Sequence, residues 1–126
     1  QNAGAGKTVT VTGATLANGT GLASNYTVSN ATGVTADITA KALTVRGVTA
    51  DSKTYDGTTA ANLSGGILNG LVGNETLVLS GQSGAFSDQN AGAGKTVTVT
   101  GATLANGTGL ASNYTVSNAT GVTADI

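Results

Sequence analysis

Thirty-eight consecutive residues, Gln1–Ile38, return letter for letter as Gln89–Ile126. Identical text carries identical local preferences and asks for identical partners. Whatever fold the chain takes must therefore accommodate the same piece twice, with starts 88 residues apart. The chain therefore reads as an array cut from something longer, with one full period plus part of a neighbour. A period of 88 residues is long for a stacked solenoid, whose units run about 20–50 residues. It is long enough for a small domain with its own core, since chains of roughly 55–65 residues already fold alone.

Twenty-six of the 126 residues are Leu, Ile, Val or Phe, about the level at which disorder sets in for highly charged chains. The net charge here is −1, and the apolar residues are regularly placed, so the chain reads as folded around a thin core. Lys7–Thr12 (KTVTVT) puts Val9 and Val11 on one face and three threonines on the other, the period of a half-buried strand. Val and Thr are both stiff at χ1, which favours strand over helix. Asn18-Gly19 reads as a tight turn, and Tyr26–Val28 as a further strand with Tyr26 and Val28 inward.

Val34, Ala36, Ile38 and Ala40 keep an even-numbered apolar face, whereas Leu43 and Val45 start an odd-numbered one. A parity switch needs a bulge, a twist or a change of sheet. The joint between repeats is placed there, at Thr39–Ala42, making residues 1–38 the C-terminal part of one repeat and 39–126 a complete one. Tyr55-Asp56-Gly57 reads as a turn with a buried ring behind it. Asn69-Gly70 reads as another turn. Glu75–Ser80 (ETLVLS) is apolar on both faces and reads as a central strand buried on both sides. Ala85-Phe86 leads through Asn90–Gly94 into the second KTVTVT as a hairpin. Six or seven short strands per repeat, Gly/Asn/Asp turns and no helical period predict an all-β fold of small Ig-like β-sandwich repeats in tandem. The alternative is a continuous filament with strands shared between repeats. The 38-residue copy holds about three strands and too little core to fold alone.

Most chemistry is excluded by what is absent. The chain has no His and no Cys, hence neither the commonest general base nor soft metal ligands nor disulfides. Five scattered basic residues make no phosphate-neutralising patch, so nucleic acid is not an expected partner. No apolar run approaches the ~20 residues that span a bilayer, and no signal peptide is visible. Gly92–Lys95 has the end of a phosphate loop, but Gln89 stands where that motif requires Gly. The carboxylates Asp37, Asp51, Asp56, Glu75, Asp88 and Asp125 match no calcium-loop spacing. A calcium site would need distant acids, such as Asp51, Asp56 and Asp88, to converge. A thin sandwich leaves no cleft for paired-acid hydrolysis. The Thr8/Thr10/Thr12 and Thr96/Thr98/Thr100 rows are ordinary solvent-facing strand threonines rather than an ice-binding array. Nothing in the spacing supports a Lys–Asn cross-link through Lys41 or Lys53. Catalytic residues, cofactors and metals are accordingly expected to be none.

Eight of the eleven asparagines stand in Asn-x-Ser/Thr: Asn18, Asn25, Asn30, Asn62, Asn74, Asn106, Asn113 and Asn118. These are candidate glycosylation sites.

Lys41–Thr59 (KALTVRGVTADSKTYDGTT), Asp88–Gly101 (DQNAGAGKTVTVTG) and Asn113–Ile126 (NYTVSNATGVTADI) together resemble the YDG-type repeats of large bacterial haemagglutinin-like surface adhesins. The resemblance runs through the whole period. It implies an extracellular tandem β-repeat, secreted by a partner transporter, that forms a stalk or filament on the bacterial cell surface and supports adhesion or biofilm. It implies no catalytic residues. The partners expected are neighbouring identical repeats, with host or matrix glycans or proteins engaged by other domains. The second reading is a weak carbohydrate- or protein-binding repeat acting by avidity. Its aromatics would be drawn from Tyr26, Tyr55, Phe86 and Tyr114.

Overall fold

The computed structural model describes residues 1–126 and divides them into two compact units, Gln1–Thr39 and Ala40–Ile126. The fold is all-β: eleven strands and two single-turn 3-10 segments, with no α-helix.

The larger unit is built on its longest strand, β3 (Lys41–Ala50), which carries Leu43 and Val45 inward and threonines outward. β3 pairs antiparallel with β5 (Leu63–Asn69) on one side and parallel with β10 (Tyr114–Val116) on the other. A second sheet has the order β11-β8-β7-β4, made of Val122–Ala124, Lys95–Thr100, Ser83–Phe86 and Ala60–Ala61. All its pairings are antiparallel, and β7–β8 is the expected hairpin, with Phe86 opposite Val97. One apolar cluster joins the two sheets. Val45 from β3 meets Phe86, Val97, Val99, Val122 and Ala124 from the second sheet, with Leu63, Leu68 and Val116 at its margin. Two sheets face to face around one cluster make a small sandwich.

Strands β6 (Leu77–Ser80) and β9 (Thr103–Asn106) form a separate pair. The expectation of a central strand at Glu75–Ser80 is overturned here. β6 has a single partner, and Val78 faces solvent. Its continuous apolar run comes from Leu77 and Leu79 packing inward while Val78 is left outside, so the run did not mean burial on both faces. Nine strands, not six or seven, make the unit, because β4 and β9 are too short to announce themselves in the sequence. The turn expected at Asn69-Gly70 is displaced: Asn69 ends β5, and the reversal comes at Gly73-Asn74, closed by Glu75 N–H donating to Val72 O at 3.1 Å. β3 and β5 approach closely at Gly47 and Gly65. A Cβ on Gly65 would stand 2.2 Å from Gly47 O, so only glycine permits that crossing.

The smaller unit holds the first copy of the repeated text, and it is a subset of what the second copy does. β1 (Gly4–Thr8) pairs with β2 (Thr35–Ile38), setting Lys7 opposite Ala36. Lys95 and Ala124 stand opposite each other in the same way. The polar staples are also shared. Asn30 Oδ1 accepts from Ala14 N and Asn118 Oδ1 from Ala102 N, both at 3.0 Å. Strand structure is lost at Val9–Thr12, Leu16 and Tyr26–Val28. The equivalent residues of the larger unit pair with β7, β6 and β3, and all three of those strands lie between residues 40 and 88. Tyr26 is accordingly 69% exposed where Tyr114 is 7%. The strand expected at Tyr26–Val28 with both residues inward is thus formed in the second copy and not in the first. Asn18-Gly19 is not a hairpin turn either: Gly19 keeps negative φ, and Asn18 Oδ1 caps Ala23 N at 2.6 Å.

Candidate functional site

The segment after β3, Asp51–Thr59, contains the Tyr55-Asp56-Gly57 turn. Gly57 takes φ +75, which reverses the chain so that Asp56 Oδ1 receives Thr58 N–H and the Thr58 hydroxyl, both at 2.9 Å. The organiser is Lys53. Its Nζ donates to Asp56 Oδ1 at 2.9 Å, to Thr58 O at 2.9 Å, to Thr58 Oγ1 at 3.0 Å and to Ala60 O at 3.0 Å. The same ammonium lies 5.5 Å from the centre of the Phe86 ring, within cation–π range. The Lys53 side chain is only 19% exposed, so its charge is satisfied by this shell more than by water. The Lys53 hydrogen bond and then those from Thr58 hold the Asp56 carboxyl down at about 2. Beyond the turn, Phe86 N–H donates to Thr59 O at 2.7 Å, delivering the chain to β4 at the edge of β7. Tyr55 itself is 57% exposed. The ring expected behind the turn is not Tyr55, which points to solvent; the apolar backing comes from Phe86 across the sheet.

The same segment fastens the C-terminal end of the unit. Lys53 N–H donates to Asp125 O, and Asp125 N–H to Ser52 Oγ, both at 3.0 Å. Asp125 Oδ1 accepts Gly94 N–H at 2.7 Å, and Ile126 and Gly92 exchange two backbone hydrogen bonds. Nearby, Asp88 pairs with Lys95 at 2.5 Å, and that hydrogen bond holds the Asp88 carboxyl below its ordinary range.

At the other end of β3, Tyr114 pairs with Lys41 in the backbone ladder. The Tyr114 hydroxyl donates to the Glu75 carboxylate and accepts Val72 N–H at 3.2 Å. The bond to Glu75, with desolvation behind it, raises the phenol above its usual value. Thr76 and Thr108 bond reciprocally beside it, each hydroxyl accepting the other's backbone N–H, at 2.9 and 3.0 Å. Three polar clasps therefore hold the loops down.

Asp56 and Asp88 are each engaged by a lysine, and Asp51 does not join them. No group of three or more acidic side chains is placed to hold a metal ion. The hydrogen-bond partners of Lys53 Nζ include no Asn side chain. Among the Asn-x-Ser/Thr asparagines, Asn18, Asn30, Asn106 and Asn118 use Oδ1 to cap backbone amides. Asn25, Asn62 and Asn74 are exposed and Asn113 is half-buried. Sequence reasoning missed Lys53, although a lysine three residues before an Asp-Gly turn is a readable signal. It also missed the Tyr114–Glu75 clasp, whose partners are 39 residues apart.

The YDG domain model matches residues 39–121, more than half of the chain. No curated protein and no solved structure matches it. The match takes in the Lys53 clip with its Tyr-Asp-Gly turn, the β7–β8 hairpin and the Tyr114 clasp, and the chain belongs to the YDG domain family.

Proposed function

We propose that Ala40–Ile126 is a spacer unit in the stalk or filament of a bacterial cell-surface adhesin, holding a distal adhesive domain away from the cell. The observation that carries this reading is where the chain comes in and where it leaves. It comes in at Lys41, beside Tyr114, and leaves at Ile126, beside Ser52 and Lys53. The ten-residue β3 lies between them, about 30 Å at ~3.3 Å per residue. Units joined through opposite ends add length with each copy. The low charge and the Thr/Asn/Gly surface suit a hydrated, inert shaft. Secretion and a role in adhesion or biofilm belong to this reading.

Small-angle scattering on chains of two, four and six repeats tests it. The maximum dimension should grow linearly, by roughly 30–40 Å per repeat. Growth with the cube root of mass would mean that the units fold back on one another, and the stalk reading would fall. The exposed Tyr55 ring favours the avidity reading as the second choice. Glycan binding by a six-repeat chain, lost in Tyr55→Ala with the fold intact, would put that reading first.

A further inference from the structure

We infer that Ala40–Ile126 is built to carry tension along β3, with residues 114–126 acting as a strap that is loaded lengthwise against residues 41–53. Tyr114–Val116 pairs in parallel with Lys41–Leu43, and Ser117 N–H donates to Leu43 O at 3.2 Å. The chain then leaves this sheet and joins the other one as β11, against β8. It returns at Asp125, whose N–H donates to Ser52 Oγ and whose carbonyl accepts Lys53 N–H, both at 3.0 Å. Tyr114 and Lys41 are 73 positions apart, and so are Asp125 and Ser52. The parallel register set at the start of β3 is therefore recovered just beyond its end. One segment runs alongside β3 and is tied to it at both ends.

β10–β3 is the one parallel pairing in the fold, and all the others are antiparallel. Direction decides how a pull is felt. The upstream connection meets the unit at Lys41. The downstream one starts at Ile126, whose twin Ile38 passes through Thr39 and Ala40 into Lys41. The two connections therefore lie at opposite ends of two segments that run the same way. Tension draws β3 toward its own start and the strap toward its own end, so the two must slide past each other. Hydrogen bonds between strands lie across that direction, and sliding strains them together. An antiparallel strap would have put both connections at one end, where a pull parts the bonds one after another. The exit is fastened further by the two bonds between Ile126 and Gly92, and by Asp125 Oδ1 on Gly94 N–H at 2.7 Å. The use of such a strap rests on the stalk reading above, because a tethered shaft is what comes under tension.

The chain has no cysteine, so pulling handles attach only where cysteines are introduced. In the full-length protein, Thr39→Cys with a cysteine added after Ile126 loads the strap lengthwise. Thr39→Cys with Ser112→Cys instead pulls the starts of β3 and β10 apart. Thr39 and Ser112 are both exposed, so neither change touches the core. Lifetimes at one fixed force are read on single molecules. Lengthwise loading should hold at least about fivefold longer than peeling, because at least one more ladder bond must break in the same step and one bond contributes a factor of that size. Ser52→Ala removes the acceptor of Asp125 N–H at an exposed position. It should shorten the lengthwise lifetime by about the same factor and leave the peeling lifetime unchanged. Equal lifetimes in the two directions would overturn the strap. A Ser52→Ala effect that is absent, or equal in both directions, would overturn its tie at Asp125. Either failure leaves linear growth in scattering intact, whereas loss of linear growth with unequal lifetimes would overturn the stalk alone.

Discussion

Lys53 Nζ and Asp56 Oδ1 lie 2.9 Å apart, and the two charges close a ring that includes Thr58 and the carbonyl of Ala60. Asp56 is half in solvent, so the ion pair alone stabilises little. The weight rests on Lys53, which is largely covered and satisfies two backbone carbonyls. Lys53→Met keeps the stem over Phe86 and removes the donors. It is expected to cost about 1–3 kcal/mol, read from urea unfolding. Lys53→Arg should recover only part of this, because a planar fork does not match a compact four-acceptor shell. Loss confined to within about 0.5 kcal/mol would mean that the clip does not hold β4 to β7.

Stability should fall at both ends of the pH range, for different residues. Asp56 is depressed to about 2 and Asp88 is depressed by Lys95, so both stabilise the fold above the ordinary carboxylate value of about 3.9. That contribution is lost as pH falls from about 4 toward 2. Tyr114 is raised, so its contribution is complete below pH 10 and is lost as pH climbs through the higher folded value. Urea midpoints against pH should show a plateau with two shoulders. Asp56→Asn should flatten the acid shoulder and Tyr114→Phe the alkaline one. A Tyr114→Phe profile identical to the parent above pH 10 would contradict the Glu75 clasp.

Two glycines with similar backbone angles should respond very differently to alanine. Gly65 has φ +76 and Gly94 has φ +60, and each pays about 1–2 kcal/mol for a Cβ in the left-handed region. At Gly94 nothing lies within 4 Å of that Cβ, so the cost ends there. At Gly65 the Cβ would meet Gly47 O at 2.2 Å, and the β3–β5 ladder must open. Gly65→Ala is expected to lose at least about 3 kcal/mol in thermal or urea unfolding. Equal losses at the two sites would show that the close crossing is not maintained.

The alternation in KTVTVT was legible in the sequence, but the strand it predicts forms in full only at Lys95–Thr100, where β7 pairs with it; at Lys7–Thr12 it ends at Thr8. The all-β class was legible from the period-two alternation and the turn residues between strands. The role of Tyr55 was misread because a large aromatic beside a turn is ordinarily buried, and here Phe86, reached only through the sheet, supplies the ring. Glu75–Ser80 was misread because an apolar run reports hydrophobicity but not how many strands flank it. The Tyr114–Glu75 clasp and the Lys53–Phe86 contact join residues 39 and 33 positions apart, and no local pattern encodes them. The abundance of Asn-x-Ser/Thr has a local explanation that spacing alone did not reveal. Several of these asparagines cap backbone amides in the same way in both copies.

The sharpest consequence of the repetition is that one substitution can be made twice in identical text. Val9 and Val97 have the same six neighbours on either side, yet Val9 is 42% exposed and Val97 is 3%. Local propensity is therefore held constant, and any difference between Val9→Ala and Val97→Ala is packing alone. Val97 sits opposite Phe86 and within the cluster that joins the two sheets, so removing its two methyl groups should cost about 2 kcal/mol. Val9→Ala should stay within about 0.5 kcal/mol of the parent. The doubly substituted protein should match the sum, since the two valines belong to separate compact units. Urea unfolding at low protein concentration measures all three. Equal losses at the two positions would mean that the first copy is covered in solution as fully as the second.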